Sequence, residues 1–518
     1  MTFSSRRDVL VGALAAPALL RFGRAGAAGP DNPFTLGVAS GEPAADGMVL
    51  WTRLAPQPLA GDGGMPRHAM PVRWELAEDD RFGRIVRRGT ATAEPAWGHS
   101  IHAEPAGLQP NRPYWYRFIA DGQASPVGRT RTAPAAGAQV DRARFTFCSC
   151  QNFEVGYYDA YRHMVAEEPD LILFLGDYIY ESPPEEGKLR LHANPEPMDV
   201  PGYRTRYAQY KRDPLLQAAH QAAPWAVTWD DHEVANDYAD DLDERNSDPV
   251  AFLRRRAAAY HVYWEHMPLR ATQRPGSGAM RLYRTLDWGS LAQFQIVDDR
   301  QFRGPRACQP PELRPEHRMY LKLVPDCPDL HAAGRSMLGA AQERWLDQAL
   351  HRTTAHWNLL AQQTVMSSLR RVDPDHPQEP PVYSPDVWAG YPAARDRIIR
   401  SWADAGTPNP LALGGDIHSF LAGDLRHPDR PDRAVAAEFV GGSITSLFHD
   451  PYLKQEAARS GVAFAENEVR GYGRVDLTER GCDVTFRNLA DATKPQTSIH
   501  DLVRFHVEQG RPGIVRTA

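Results

Sequence analysis

Four short stretches of this chain concentrate side chains that bind cations or move protons. Asp177 follows Gly176 and stands three residues before Tyr180. A carboxylate can bridge two hard cations, and a phenolate suits a ferric ion or another strong Lewis acid. Asp230-Asp231-His232-Glu233 sets two carboxylates side by side without a basic neighbour. Such a pair repels unless cations neutralise it, and His232 beside it is placed to act as a general acid. In Gly414-Gly415-Asp416-Ile417-His418, Asp416 and His418 alternate on an extended segment, so both converge on one point while the glycines let the backbone crowd it. Cys150 has two readings, a buried structural thiol or a thiolate ligand. Arg300, next to Asp298 and Asp299, is either a clamp on developing negative charge or a structural partner of those carboxylates. Tyr157, Tyr158, Tyr178 and Trp388 are candidates for a pocket wall or for the core.

These residues need elements to bring them together. Continuous apolar runs at 145–147, 171–175, 225–229, 294–297, 358–361 and 411–413 each end in polar residues, among them Asp, His and Cys. Runs of this kind fit strands covered on both faces. Helical periods fill the gaps at 157–168, 203–221, 249–267, 340–353 and 391–405. Sheets wound this way bind ligands outside the carboxyl ends of their strands, which is where the donors fall. Upstream the pattern differs. Seven short runs at 34–39, 48–53, 72–76, 84–92, 99–104, 114–120 and 127–132, separated by turn residues, suit an immunoglobulin- or fibronectin-like β-sandwich. Within it, 108–114 has the form of a tyrosine corner and 132–138 that of a linker. No catalytic constellation occurs there. The expected fold is therefore α/β, preceded by a β-sandwich, with the sandwich at 30–135 and the catalytic domain at 140–518.

Composition sets outer limits. A chain of 518 residues with 42% hydrophobic and 24% charged residues is neither a polytopic membrane protein nor a disordered polymer. A single core rarely exceeds about 250–300 residues, so at least two domains are expected. With 59 Lys plus Arg against 65 Asp plus Glu, nothing suggests sequence-specific nucleic-acid binding. The first 28 residues combine paired Arg6 and Arg7, an apolar stretch to Leu20 and the small-residue run Ala25-Gly26-Ala27-Ala28, the pattern of a twin-arginine signal peptide. Its removal leaves a mature chain near −9 without a transmembrane segment, carried by the twin-arginine export machinery to the periplasm or medium. Five cysteines are too few for a disulfide scaffold. Cys308 and Cys327 are candidates for one disulfide, leaving Cys482 unpaired.

The motifs together resemble a known family. Gly37–Pro43 with Leu50-Trp51-Thr52-Arg53, Ser149-Cys150-Gln151, Gly176–Glu181, Trp229–Val234, Asp298-Asp299-Arg300, Ser336–Gly339 with Gln342, and Gly415–His418 run in the order seen in PhoD-type (alkaline phosphatase D) phosphodiesterases of the metallophosphoesterase superfamily, relatives of purple acid phosphatases. The resemblance implies a fibronectin-like sandwich followed by a two-sheet (αββα) catalytic domain. It implies Fe3+ held by Cys150, Asp177, Tyr180 and His418, and Ca2+ held by Asp177, Asp231 and Asp416 with Asp230 as a further ligand. Asp231 and Asp416 stand where the superfamily often has Asn and His, which favours Ca2+ over Zn2+. His232 matches the catalytic histidine. The implied activity is hydrolysis of phosphate mono- or diesters by a metal-bound hydroxide, with Arg300 as a clamp. Phospholipid headgroups and cell-wall phosphodiesters are included as substrates. The alternatives are a phospholipase D-like hydrolase of the same family and an iron oxidase.

Overall fold

The structure, a computed structural model, describes residues 32–245, 247–309, 322–372, 378–447 and 450–517. The signal segment expected at 1–28 lies outside them. In chain order the strands are β1 (Val38–Ala44), β2 (Gly47–Arg53), β3 (Met70–Ala77), β4 (Ile85–Ala93), β5 (Ser100–Ala103), β6 (Pro113–Ala120), β7 (Gln123–Ala124), β8 (Gly128–Arg131), β9 (Arg142–Cys148), β10 (Leu171–Leu175), β11 (Trp225–Thr228), β12 (Arg284–Trp288), β13 (Ala292–Ile296) and β14 (Val324–Pro325). They continue with β15 (Trp357–Ala361), β16 (Val382–Tyr383), β17 (Pro410–Gly414), β18 (Phe420–His427), β19 (Arg430–Gly441), β20 (Phe464–Glu466), β21 (Arg470–Thr478), β22 (Gly481–Leu489), β23 (Ile499–Glu508) and β24 (Arg511–Arg516). The helices are α1 (Asp159–Ala166), α2 (Val200–Lys211), α3 (Pro214–Ala222), α4 (Pro249–His266), α5 (Gly339–Arg352), α6 (Pro392–Ala405) and α7 (Leu453–Arg459).

The apolar runs are strands buried on both faces. In β10, Leu171, Leu173 and Leu175 meet Phe294, Leu359 and Leu411 of the second sheet. Ile172 and Phe174 point the other way, into a layer with Tyr161, Met164 and Leu216 of the helices. On the far side, Leu360, Ala412 and Ala436 pack against Leu346, Ile398 and Trp402 of α5 and α6. Helix, sheet, sheet and helix thus stack as four layers, the arrangement that hides both faces of each parallel sheet. The larger sheet has the order β24-β23-β22-β21-β9-β10-β11-β1-β2-β5 and the second β12-β13-β15-β17-β19-β18-β20. Strands β9, β10 and β11 are mutually parallel, as are β13, β15, β17 and β19. Their carboxyl ends therefore open on one side.

Three local features differ from the sequence expectation. The helical period at 203–221 is two helices. Asp213 caps α3 by accepting the Leu215 and Leu216 N–H groups, and Pro214 in the first turn offers no N–H to continue α2. The N-terminal sandwich is not a closed unit. One layer is the sheet of β3, β4, β6, β7 and β8, but the other is β1, β2 and β5, which end the larger sheet through a β1–β11 pairing at Gly41 and Trp225. Gly41 makes this approach possible, because a Cβ there would lie 2.5 Å from the Pro268 carbonyl oxygen. Lastly, β18 runs antiparallel to β19 and β20 at the edge of the second sheet, β21 to β24 extend the larger sheet in antiparallel fashion, and most of the segment 498–510 is β23.

The tyrosine corner is present, with the Gln109 N–H donating to the Tyr114 hydroxyl at 3.0 Å. Cys308 and Cys327 form a disulfide, while Cys148 and Cys482 are free and buried. Among the described residues no helix is long and apolar enough to cross a membrane.

Candidate metal centre

Where β9, β10 and β17 end, the chain turns sharply and delivers donors. Cys150, Asp177, Asp416 and His418 all have left-handed backbone, with φ of 60°, 60°, 64° and 52°. Non-glycine residues hold that conformation only where their surroundings impose it. Gly176, at φ 114°, lets the turns after β10 and β11 touch, since a Cβ there would sit 2.5 Å from that of Asp230.

The turns assemble three overlapping groups of donors, each with its ligand atoms within 4.8 Å of one another: Cys150, Asp177 and His418; Asp177, Asp231 and His232; and Asp230, Asp231 and Asp416. Asp177 is common to the first two and Asp231 to the last two, so the side chains form one continuous cluster. The Tyr180 hydroxyl joins it, donating to Asp177 Oδ2 at 2.9 Å, lying 3.0 Å from His418 Nε2 and accepting from the Ser446 hydroxyl at 2.6 Å.

The electrostatics are those of anions lacking cations. Asp177 Oδ1, Asp230 Oδ2 and Asp231 Oδ1 are buried and accept no hydrogen bond. Leaving a carboxylate oxygen dry and unpaired is costly unless something positive meets it. Burial, only partly offset by His232, drives the Asp177 carboxyl well above its ordinary range. Burial likewise raises Asp230 against the pull of Arg300, and it raises Asp416 to about 7. Asp231 goes the other way, because Arg300 and His232 outweigh its burial. Burial and then Asp177 push up both the Cys150 thiol and the Tyr180 phenol, and burial lowers His418 to about 3. Divalent or trivalent cations would relieve these penalties together. The donor set fits them: thiol, phenol, imidazole and carboxylate at one end, carboxylates alone at the other.

The cluster opens into a pocket of about 370 Å³ whose wall includes Asp177, Asp231, His232, Asp416 and His418. His232 is held by a 2.7 Å contact from Nδ1 to Glu181 Oε2, which leaves Nε2 as the ring's free position. Burial opposes its protonation, but Glu181, Asp231 and Asp177 together raise its pKa well above the ordinary value. The imidazolium is therefore the favoured form in this field.

Arg300 does not stand where a clamp on bound substrate would. It is fully buried, its Nε donates to Asp230, and its Nη1 donates to Asp386 at 2.8 Å. Its guanidinium also lies 3.6 Å from Asp231 and 3.9 Å from Asp299, so the carboxylates around it include one of the two that the sequence reading offered as structural partners. Tyr158, Tyr178 and Trp388 are buried in the cores, and Tyr157 lies beside the Arg190 guanidinium; none of the four lines the pocket.

Several contributors escaped the motif reading. Glu181 orients His232 and also accepts the Asn236 N–H at 2.6 Å. Glu233 accepts the N–H groups of Asp177, Tyr178 and Asp230 at 3.1, 2.6 and 2.8 Å. Gln363 donates to the carbonyls of Trp229 and Val297, tying the ends of the two sheets together. Asp386, on the pocket wall, is held by Arg300, Arg303 and Arg306. Glu181 and Glu233 sit inside quoted motifs and Gln363 follows the apolar run 358–361, but Asp386 carries no local signal.

A two-sheet α/β core with this chain of donors at its strand ends is that of a metal-dependent phosphoric ester hydrolase. The sequence pattern of the PhoD-like phosphatase family matches residues 145–486, and that of the PhoD-like phosphatase N-terminal domain matches residues 21–134. The chain is 43% identical over 498 residues to alkaline phosphatase D of Bacillus subtilis (strain 168), covering 93% of this chain and 82% of that one. It superposes on the solved structure of PhoD with a TM-score of 0.87 at 41% identity, over 94% of this chain and 92% of that one. The chain belongs to the PhoD-like phosphatase family.

Proposed function

We propose that the enzyme hydrolyses small phosphate mono- and diesters with Fe3+ held by Cys150, Asp177, Tyr180 and His418, and Ca2+ held by Asp177, Asp231 and Asp416 with Asp230 adjoining. The observation that carries this reading is the sharing of Asp177 and Asp231 between donor groups, with one buried oxygen of each accepting no hydrogen bond from the protein. A thiol and a phenol beside a carboxylate favour a ferric ion, and an all-carboxylate group favours a hard, oxygen-seeking cation such as Ca2+. Cations so bound supply Lewis acidity, polarising a phosphoryl oxygen and acidifying water. The protein's own part is positional and protonic. His232 delivers a proton from Nε2 to the leaving alkoxide while Glu181 fixes the ring through Nδ1. Thr364 donates to Asp416 on the pocket wall, and Arg300 fixes Asp230 behind it. Residues 30–135 serve as the sandwich domain and 140–518 as the catalytic domain. Residues 1–28 act as a twin-arginine signal that directs the protein to the periplasm or medium.

A second reading, hydrolysis of a phospholipid headgroup ester, is favoured by the apolar side of the pocket, where Val365, Leu369, Val387, Ile417 and Leu453 line the wall. Hydrolysis of bis-p-nitrophenyl phosphate, with and without a calcium chelator, tests the main reading. Turnover is expected to be lost in chelator and restored by Ca2+. Metal analysis with a visible spectrum tests the iron: a charge-transfer band that shifts or weakens in Tyr180→Phe is expected. A colourless, zinc-only and fully active enzyme would refute the metal assignment.

A further inference from the structure

The cluster's donors come from turns that are strained and separate in sequence, and one side chain fastens two of those turns. Glu233 is 1% exposed. Its Oε2 receives the N–H of Asp177, the first residue beyond Gly176 in the turn after β10, and the N–H of Asp230 in the turn after β11. Its Oε1 receives the N–H of Tyr178. Asp177 and Asp230 both belong to the donor groups, and Asp177 holds φ at 60°. A non-glycine residue in that region is strained and persists only when neighbouring bonds over-determine it. Without Glu233 the three N–H groups would be buried and unsatisfied, and the most direct relief is for the turn to relax out of its left-handed form. That relaxation would swing the Asp177 carboxylate away from its place between the first two donor groups.

We propose that Glu233 is a positioning residue for metal retention: by accepting N–H groups from both turns it holds Asp177 and Asp230 in ligating register. This rests on the metal-dependent reading of the site but adds a role to a residue that is itself no ligand. Outer-shell partners of ligands typically change metal affinity about 10- to 100-fold. Glutamine keeps one accepting oxygen and alanine none, so the effect should be graded.

The test uses the full metal-loaded chain. Wild type, Glu233→Gln and Glu233→Ala are transferred into excess chelator, and protein-bound metal is followed by elemental analysis over time. The melting temperature of each metal-stripped protein is recorded alongside. Glu42→Gln, which breaks the buried Glu42–Arg284 pair on β1, the strand beside β11, without touching the three N–H groups, serves as the control for general destabilisation. Metal loss is expected to be roughly 10-fold faster in Glu233→Gln and roughly 100-fold faster in Glu233→Ala, with Glu42→Gln at the wild-type rate. Glu233 variants that retain metal as wild type does would overturn the proposal. So would equally fast loss from Glu42→Gln, which would mark the effect as general loosening. Wild type that holds metal but hydrolyses no phosphate ester would sink the phosphoesterase reading alone, and the retention series would still decide this one. Wild type that holds no metal would overturn both.

Discussion

At the seam where β2 and β5 meet α4, Glu265 gives its oxygens to Arg204 and His261, and next to it Glu42 of β1 is held by Arg284 of β12. A few strands along the same sheet, beyond the ends of β10 and β11, Asp177, Asp230 and Asp231 each keep an oxygen that accepts no hydrogen bond from the protein. All five carboxylates are buried. The difference shows that burial of charge does not by itself mark a working site. Paired carboxylates at the seam join two parts of the molecule, whereas those at the strand ends are left incomplete by the protein and await cations.

The comparison can be broken most forcefully at Asp177. Asp177→Asn should lower kcat/KM by about 1000-fold or more, the equivalent of about 4 kcal/mol of transition-state stabilisation. The same variant should raise the melting temperature of the metal-free protein, because one member of a repelling cluster is gone. A metal-free melt lower than wild type would place Asp177 in the same class as the seam residues.

The converse holds at the seam. Glu265→Gln leaves Arg204 facing a neutral group in a buried setting, which should cost about 3 kcal/mol in denaturant unfolding, with kcat per folded molecule unchanged. A fall in kcat without loss of stability would contradict the division of roles.

The smallest expected effect sharpens the seam further. His102 Nε2 lies 3.0 Å from the carbonyls of both Trp264 and Met267, and burial lowers its pKa to about 4. Its folded pKa is thus below the unfolded value near 6.5. The neutral ring's contribution is present above pH 6.5 and is lost as pH falls toward about 4, when the unfolded chain binds the extra proton. Stability should drop by about 1–3 kcal/mol over that interval, and His102→Gln should flatten part of the slope. Unfolding curves at pH 7.5, 5.5 and 4.5 measure it, and an unchanged slope in the variant would remove His102 as the cause.

Much of the site could be read from the chain because buried parallel strands are almost wholly apolar. An aspartate at the end of 171–175 or 225–229 stands out for that reason. The N-terminal strands were legible through alternation and turn residues. What could not be read were partnerships made in space. Asp386 has no motif around it and acquires meaning only from three arginines brought over by other segments. Arg300 stayed open between clamp and structural partner because Asp230 and Asp386, which its side chain meets, are 70 and 86 residues away. The break at Asp213-Pro214 was written in the sequence, but the apolar period continues across it. The sharing of β1 with the larger sheet depends on Gly41 meeting a strand far downstream, and no local pattern carries that information.

That last pairing constrains how the polypeptide can be made. Gly41 leaves the ribosome about 180 residues before its neighbour Trp225, so β1, β2 and β5 can pair with one another and pack on β3 and β6, while the edge of β1 stays unpaired until β11 has emerged. Non-local closure of this kind is slow and exposes hydrophobic edges meanwhile. The amino-terminal sandwich is thus among the first parts to be synthesised, while its seam with the catalytic sheet closes only later.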